Sequence, residues 1–265
     1  MSRLSISDGL DFMLSHFGGN NSLWPKFIGA ADEWHIRVDS PKEAITKFYG
    51  AKLMDCRICP YPDFVKGYCK PDARESMIVG GIGIVPNTIM IDVDGGMFKR
   101  SLYTYIEDGI SAVLHKILDR LDDKFHTKCV PTILLTGNGF HIYQPVQFHP
   151  GKGQSWCLGH TDTFMNQSNT PDRDFLRWAE YYLSDGLADP AHYTTTSFQN
   201  MYCRVPGSFN SKNGEPVRIL QRWNGDRPYI NWILEDFYGY LVDKNSKPSP
   251  PPTDFKFKEF STKWN

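Results

Sequence analysis

The chain has 265 residues, enough to bury a sizeable core, and its 40% hydrophobic and 22% charged residues exclude wholesale disorder. A net charge of −1 excludes a protein that coats DNA through a uniformly basic surface, and leaves nucleic-acid contact to local patches and bound metal. No apolar run reaches the ~18 residues needed to span a bilayer, and the opening MSRLSISDGLDFML lacks a signal peptide's apolar core and cleavage site, so an intracellular protein with no membrane partner is expected.

In chain order, EAITKFYGAKL (43–53) reads as a helix. Cys56, Cys59 and Cys69 follow at spacings that suit three ligands of a zinc or iron–sulfur site, for which His35, Cys157 and His160 are candidates to supply a fourth. Free thiols are the other reading, since six cysteines in a chain this long make no disulfide scaffold. IVGGIGIVP and NTIMIDVD read as buried strands on either side of a Pro86-Asn87 turn. Ile106, Ile110, Val113, Ile117 and Leu121 recur at helical spacing, and Leu114 and Leu118 widen the stripe. PTILLTGNG and FHIYQPV form a second strand pair around Gly-Asn-Gly.

The next helix is punctuated by Thr170 as cap, Pro171 in its first turn and Gly186 as stop, with Phe175, Trp178, Ala179, Tyr182 and Leu183 as its apolar face. VRIL (217–220) reads as a strand and YINWILEDFYGYL as a last helix. Prolines at 248, 250, 251 and 252 favour extended polyproline geometry, so residues 244–265 read as a linker or tail and 1–243 as the domain. Strands interleaved with helices, some too close together for parallel crossovers, indicate α+β layers.

Three segments carry chemistry. IMIDVDGG delivers Asp92 and Asp94 to one face of a strand, because side chains two apart point the same way. Adjacent carboxylates repel, so a buried pair wants a cation or a shared proton; hard divalent ions prefer carboxylate and phosphate oxygens. Gly95 and Gly96 leave room for a bulky ligand, although a solvated Asp-rich turn has the same wording. In TGNGFHIY, backbone amides near Gly137 and Gly139 suit a phosphate and His141 can donate to one; a satisfied strand histidine is the plainer reading. In DPAHYTTTSFQNMYCRVPGSFNSKNG, Arg204 and Lys212 flank a turn bearing Ser208, Asn210 and Ser211, which suits a triphosphate or a charged surface loop. Asp189 stands upstream as a possible third carboxylate.

Taken together and in this order, the three segments resemble the archaeo-eukaryotic primase superfamily over residues 78–220. It includes primase small catalytic subunits, primase-polymerases of the PrimPol kind and the polymerase domain of bacterial end-joining ligases. The resemblance implies that Asp92, Asp94 and Asp189 are catalytic acids that bind Mg²⁺ or Mn²⁺, with Asp185 the alternative to Asp189. It implies that His141, Arg204, Ser208, Asn210 and Lys212 bind the nucleotide. Asn210 stands where many cellular subunits have histidine, which leans toward plasmid- or PrimPol-like relatives. The cysteine cluster precedes the first motif, whereas the family's zinc module usually follows it.

The implied fold is an α+β catalytic core with a mixed sheet in RRM-like layout, flanked by helices, with residues 1–77 packed on a motif-bearing core of 78–243. The implied activity is transfer of nucleotides from NTPs or dNTPs to a 3′-hydroxyl on a single-stranded DNA template. Template, primer and a helicase or accessory primase domain are the implied partners, in the cytoplasm at a nucleoid or mobile element. Two alternatives are a glycosyltransferase that holds a metal–diphosphate donor through the aspartate pair, and a non-catalytic primase-like subunit that binds nucleic acid.

Overall fold

The computed structural model describes residues 4–19, 23–62, 86–94, 106–137, 139–148, 168, 171–197 and 200–246. Most of the expected strand 78–86, residues Cys69, Gly95, Gly96, Cys157, His160 and Thr170, and the tail from 247 onward lie outside these residues.

The first element is α1 (Ile6–His16), which the sequence reading does not foresee. Ser5 caps it by accepting the Asp8 N–H at 3.1 Å, which satisfies a donor that the first helical turn leaves open. Ile6, Leu10, Met13 and Leu14 recur at helical spacing and are buried. Gly9 permits a close approach: a Cβ there would stand 1.8 Å from the Pro206 carbonyl oxygen.

One sheet contains β1 (Lys26–Ala30), β2 (Glu33–Val38), β3 (Arg57–Pro62) and the two-residue β7 (Cys203–Arg204), in the order β2-β1-β3-β7. Between β2 and β3 runs α2 (Pro41–Gly50), which buries Ala44 and Phe48. Ser40 caps it and Pro41 opens it; Lys52 and Leu53 turn to φ 53° and 61°, which ends it sooner than the apolar pattern indicates.

The second sheet contains β4 (Thr88–Asp94), β5 (Thr132–Leu135), β6 (Gly139–Pro145) and β8 (Arg218–Gln221), in the order β4-β6-β5-β8. The helices α3 (Ile106–Phe125), α4 (Pro171–Leu183) and α6 (Asn231–Ser246) pack on one another, and α4 also packs on β4. The single turn α5 (Pro190–Tyr193) follows α4. The fold is therefore α+β. Among the described residues the paired strands of both sheets are antiparallel throughout.

The chain from β7 to β8 joins the two sheets. Asp55 N–H donates to Phe209 O at 2.8 Å, Phe209 N–H to Leu53 O at 2.9 Å, and Asn210 Nδ2 to Thr136 O at 2.7 Å. Gly207, at φ 90°, holds the left-handed turn where a Cβ would lie 2.8 Å from Leu4 O. The Pro-Gly-Ser wording thus serves the docking of α1. A hydrophobic cluster runs continuously through both sheets, from Ile28 and Ile58 to Ile91, Leu134 and Ile142.

Candidate active site

Where the sheets meet, a cleft of about 430 Å³ is lined by Asp92, Asp94, His141, Asp189, Arg204, Asn210 and Lys212. These residues come from four separated stretches of sequence. Ser208 is not brought there: it is fully buried and its hydroxyl donates to Val205 O at 2.6 Å. Asp185 is elsewhere too, ion-paired with Lys116 at 2.7 Å on an exposed surface.

Asp92 and Asp94 are placed by β4, the outer strand of its sheet among the described residues. Asp92 pairs with His141 and Asp94 with Gly139 across β4 and β6. Asp92 N–H donates to Glu180 Oε1 at 2.9 Å, and its carbonyl accepts Asp189 N–H at 2.7 Å. The Asp92 backbone carbonyl thereby places Asp189 beside Asp92. The Asp189 side chain accepts Ala191 N–H at 2.9 Å, as N-cap of α5.

Glu180 is buried at 1% exposure and also receives His192 Nδ1, at 2.8 and 2.9 Å. Burial alone would depress His192, but Glu180, Asp92 and Asp189 raise it to about 9, so it is an imidazolium in the cleft lining. Asp92 is pushed up to about 7, by burial first, with Glu180, Asp189 and Asp94 adding and His192 opposing.

His141 is the opposite case. Burial, then Arg204, His192 and Arg57, hold it well below the ordinary histidine value. Neutral, with its proton on Nε2, it satisfies both ends: Nδ1 accepts the Tyr143 hydroxyl at 2.8 Å and Nε2 stands 3.4 Å from Asp92 Oδ1. The Tyr143 oxygen accepts Arg204 N–H at 2.9 Å, which ties β6 to β7.

On the cation side, Arg204 and Ser211 both donate to the Asp55 carboxylate, and Arg57 lies 3.7 Å from it. Burial raises Asp55, but the Ser211 and Arg204 hydrogen bonds and the two guanidinium charges outweigh that and leave it below the usual carboxylate value. Arg57 is lowered to about 10, by burial first and then by Arg204. Arg204 Nε is buried without a hydrogen-bond partner among the described residues.

Asp55, Arg57, Glu180 and His192 are absent from the sequence-based site. Glu180 had a usable signal, an acid at helical spacing between Leu176 and Leu183 on the apolar face of α4. Asp55 had none, because its hydrogen-bond donors, Arg204 and Ser211, lie about 150 residues away in sequence.

Asp92 and Asp94 are oxygen donors of the kind that hard divalent cations prefer. Asp92 is held neutral-prone partly by its acidic neighbours, and a bound cation would reverse that effect. Among the described residues no group of three or more His, Cys, Asp or Glu side chains is arranged to hold a metal ion. Magnesium is usually held by one or two carboxylates and completed by substrate phosphates, so an open set is no obstacle. Cys56 and Cys59 are buried thiols, pushed up to about 12 and about 11 mainly by burial, and they stand in no metal-holding group among the described residues. No described helix is long and apolar enough to cross a membrane.

No protein-family model matches the chain, and a search of curated proteins gives no match. Among solved structures the chain is similar to the crystal structure of primase RepB′, at 12% identity and a TM-score of 0.45. The alignment covers 91% of this chain and 64% of that one, so the chain spans somewhat under two thirds of that primase's length.

Proposed function

We propose that this chain is a metal-dependent nucleotidyltransferase of the primase or polymerase kind, joining a nucleoside triphosphate to a nucleic-acid 3′-hydroxyl on a single-stranded template. One observation carries the reading. Carboxylates suited to metal and side chains suited to phosphate reach one nucleotide-sized cleft from opposite sheets.

Asp92, Asp94 and Asp189 would hold magnesium or manganese. Such ions, when bound, supply charge stabilisation at the α-phosphate and a more acidic 3′-hydroxyl. The chain's own residues do the rest. His141 offers a neutral Nε2–H donor beside the acids and adds no charge to compete with a metal. Arg204 and Lys212 offset charge on the triphosphate tail. Asp55 keeps the Arg204 guanidinium in place before substrate arrives, so little reorganisation is left for the moment of reaction. Glu180, itself bonded to His192, holds the Asp92 backbone N–H.

Extension of a labelled primer on a single-stranded template, with magnesium or manganese and each nucleotide class in turn, tests the proposal. Templated addition that stops on chelation is expected. Failure to incorporate any nucleotide with either metal, by folded protein, would remove this reading.

A further inference from the structure

The cation-bearing sheet contributes an aromatic surface that neither the metal nor the phosphates use. Gly29 pairs with Arg57 across β1 and β3, and Arg57 with Arg204 across β3 and β7. Directly paired residues of antiparallel strands share a face, so these three form a row. Trp34 on β2 reaches over that row. A Cβ on Gly29 would stand 3.3 Å from Trp34 Cε3 and 3.6 Å from Cζ3, so the missing side chain is what lets the indole lie there.

The indole is held on several sides. The Arg57 guanidinium carbon is 4.3 Å from its centroid, a cation–π distance. Tyr202 meets it edge-on at 5.3 Å and 74°, and the Tyr202 hydroxyl is in turn bonded to His35 Nδ1 at 2.9 Å. Yet Trp34 remains 48% exposed and lines the same cleft as Asp92, Asp94 and Asp189. A large aromatic fixed in position but open on the cleft side loses little freedom when a flat ring stacks on it.

We propose that Trp34 is the stacking platform for the base of the incoming nucleoside triphosphate, with Arg57 and Tyr202 as its supports. This rests on the nucleotidyltransferase reading of the cleft. A cavity of about 430 Å³ suits one nucleotide, and its cationic side chains already account for the phosphate end. Stacking needs only a π-face, which every base has, so such a platform accepts all four bases.

The test is equilibrium binding of ATP, dTTP and inorganic tripolyphosphate, with manganese present, to the parent chain, Trp34→Ala and Trp34→Phe, with single-stranded oligo(dT) binding measured alongside. The parent should bind the nucleotides more tightly than tripolyphosphate. Trp34→Ala should lose about 5- to 150-fold on the nucleotides and nothing on tripolyphosphate, and Trp34→Phe should recover most of the loss. An equal loss on all three ligands, or no loss on any, overturns the platform while leaving the phosphate site standing. So does a loss confined to oligo(dT), which would give Trp34 to the template strand. If the parent binds neither nucleotide nor tripolyphosphate, the reading of the cleft fails and the platform fails with it.

Discussion

The two sheets that meet at the cleft treat charge in opposite ways. In β4-β6-β5-β8 the carboxylates crowd one another: Asp92 stands among Glu180, Asp189 and Asp94 and is pushed up to about 7. In β2-β1-β3-β7 and the turn that follows, Arg57 and Arg204 share a buried counter-charge, Asp55, which lies below the ordinary carboxylate value. The acid side is frustrated without a ligand and the cation side is largely satisfied without one. On the proposed reading a metal ion would be drawn most strongly to the first sheet named, and a phosphate would meet an already positioned guanidinium on the second.

The contrast breaks most completely if the frustrated acids are neutralised. Asp92→Asn with Asp94→Asn removes the charge a metal would need and relieves like-charge repulsion, so incorporation should fall by about 10³-fold or more. The fold should survive and could be more stable without metal. Retained magnesium- or manganese-dependent extension by the folded double mutant would end the assignment of these acids.

The satisfied side should break differently. Asp55→Asn keeps the shape and suits the left-handed φ of 49°, but it leaves Arg204 buried without its counter-charge. A loss of about 3–5 kcal/mol of stability is expected, read by denaturant unfolding. Added tripolyphosphate should restore more stability to this variant than to the parent, because the anion then replaces the missing charge. An unchanged unfolding midpoint would show that Asp55 does not hold Arg204 in solution.

Lys212 separates position from charge. It is exposed at the cleft, and among the described residues its side chain takes part in no ion pair. Lys212→Ala should weaken nucleotide binding by roughly ten- to a hundredfold, for a charge-assisted contact of ~1.5–3 kcal/mol, with stability unchanged. An unchanged nucleotide affinity would move the triphosphate tail away from this turn.

Much of the acid-bearing sheet is legible in the sequence, and little of the other is. NTIMIDVD and FHIYQPV are apolar runs bounded by turn residues, and they fold as β4 and β6 with Asp92 opposite His141. The strands of the cation-bearing sheet hide their pattern. β3 carries Pro60 and Pro62, β2 contains His35 at φ 60°, and β7 has two residues. β1 opens with Lys26, 1% exposed, where a buried strand would ordinarily show an apolar residue. The site divides along the same line. Asp92 and Asp94 announce themselves by adjacency, whereas Asp55 takes its hydrogen-bond partners, Arg204 and Ser211, and Trp34 its edge-on neighbour, Tyr202, from about 150 residues or more along the chain.

The clamp between the sheets gives a pH effect. α1 docks on the Pro206-Gly207 turn through Gly9 and on β5 through His16, whose Nδ1–H donates to Phe12 O at 2.8 Å while Nε2 accepts the Thr132 hydroxyl at 2.7 Å. Burial, mainly, lowers His16 from 6.5 to about 4. The unfolded chain therefore takes up the proton first. Stability from this group is complete above about pH 6.5 and falls by about 1.4 kcal/mol per unit as pH drops toward 4. Asp92, raised to about 7, contributes with the opposite sign over the same window, so the readout is a difference: between pH 6.5 and pH 5 the parent should lose about 1.4 kcal/mol per unit more than His16→Gln, by denaturant unfolding. An identical slope in the variant would assign the acid sensitivity to other groups.

The smallest effect is the sharpest test of which carboxylate belongs to the cleft. Asp185 and Asp189 are four residues apart, and the sequence reading takes Asp189 with Asp185 as its alternative; their surroundings differ. Asp185 is 46% exposed and pairs with Lys116, which is 57% exposed. Water and salt screen such a pair, and removing it costs within about 1 kcal/mol. Its φ of 54° is one that asparagine adopts readily, so Asp185→Asn introduces no backbone strain. Asp189 instead lines the cleft, with its N–H on the Asp92 carbonyl. Asp185→Asn should therefore leave both stability and metal-dependent incorporation near the parent values, while Asp189→Asn should remove incorporation. If the two variants lost activity alike, the third acid would not be decided by its place beside Asp92. A loss in Asp185→Asn alone would exchange their roles, and would require the segment between α4 and α5 to rearrange when metal and nucleotide bind.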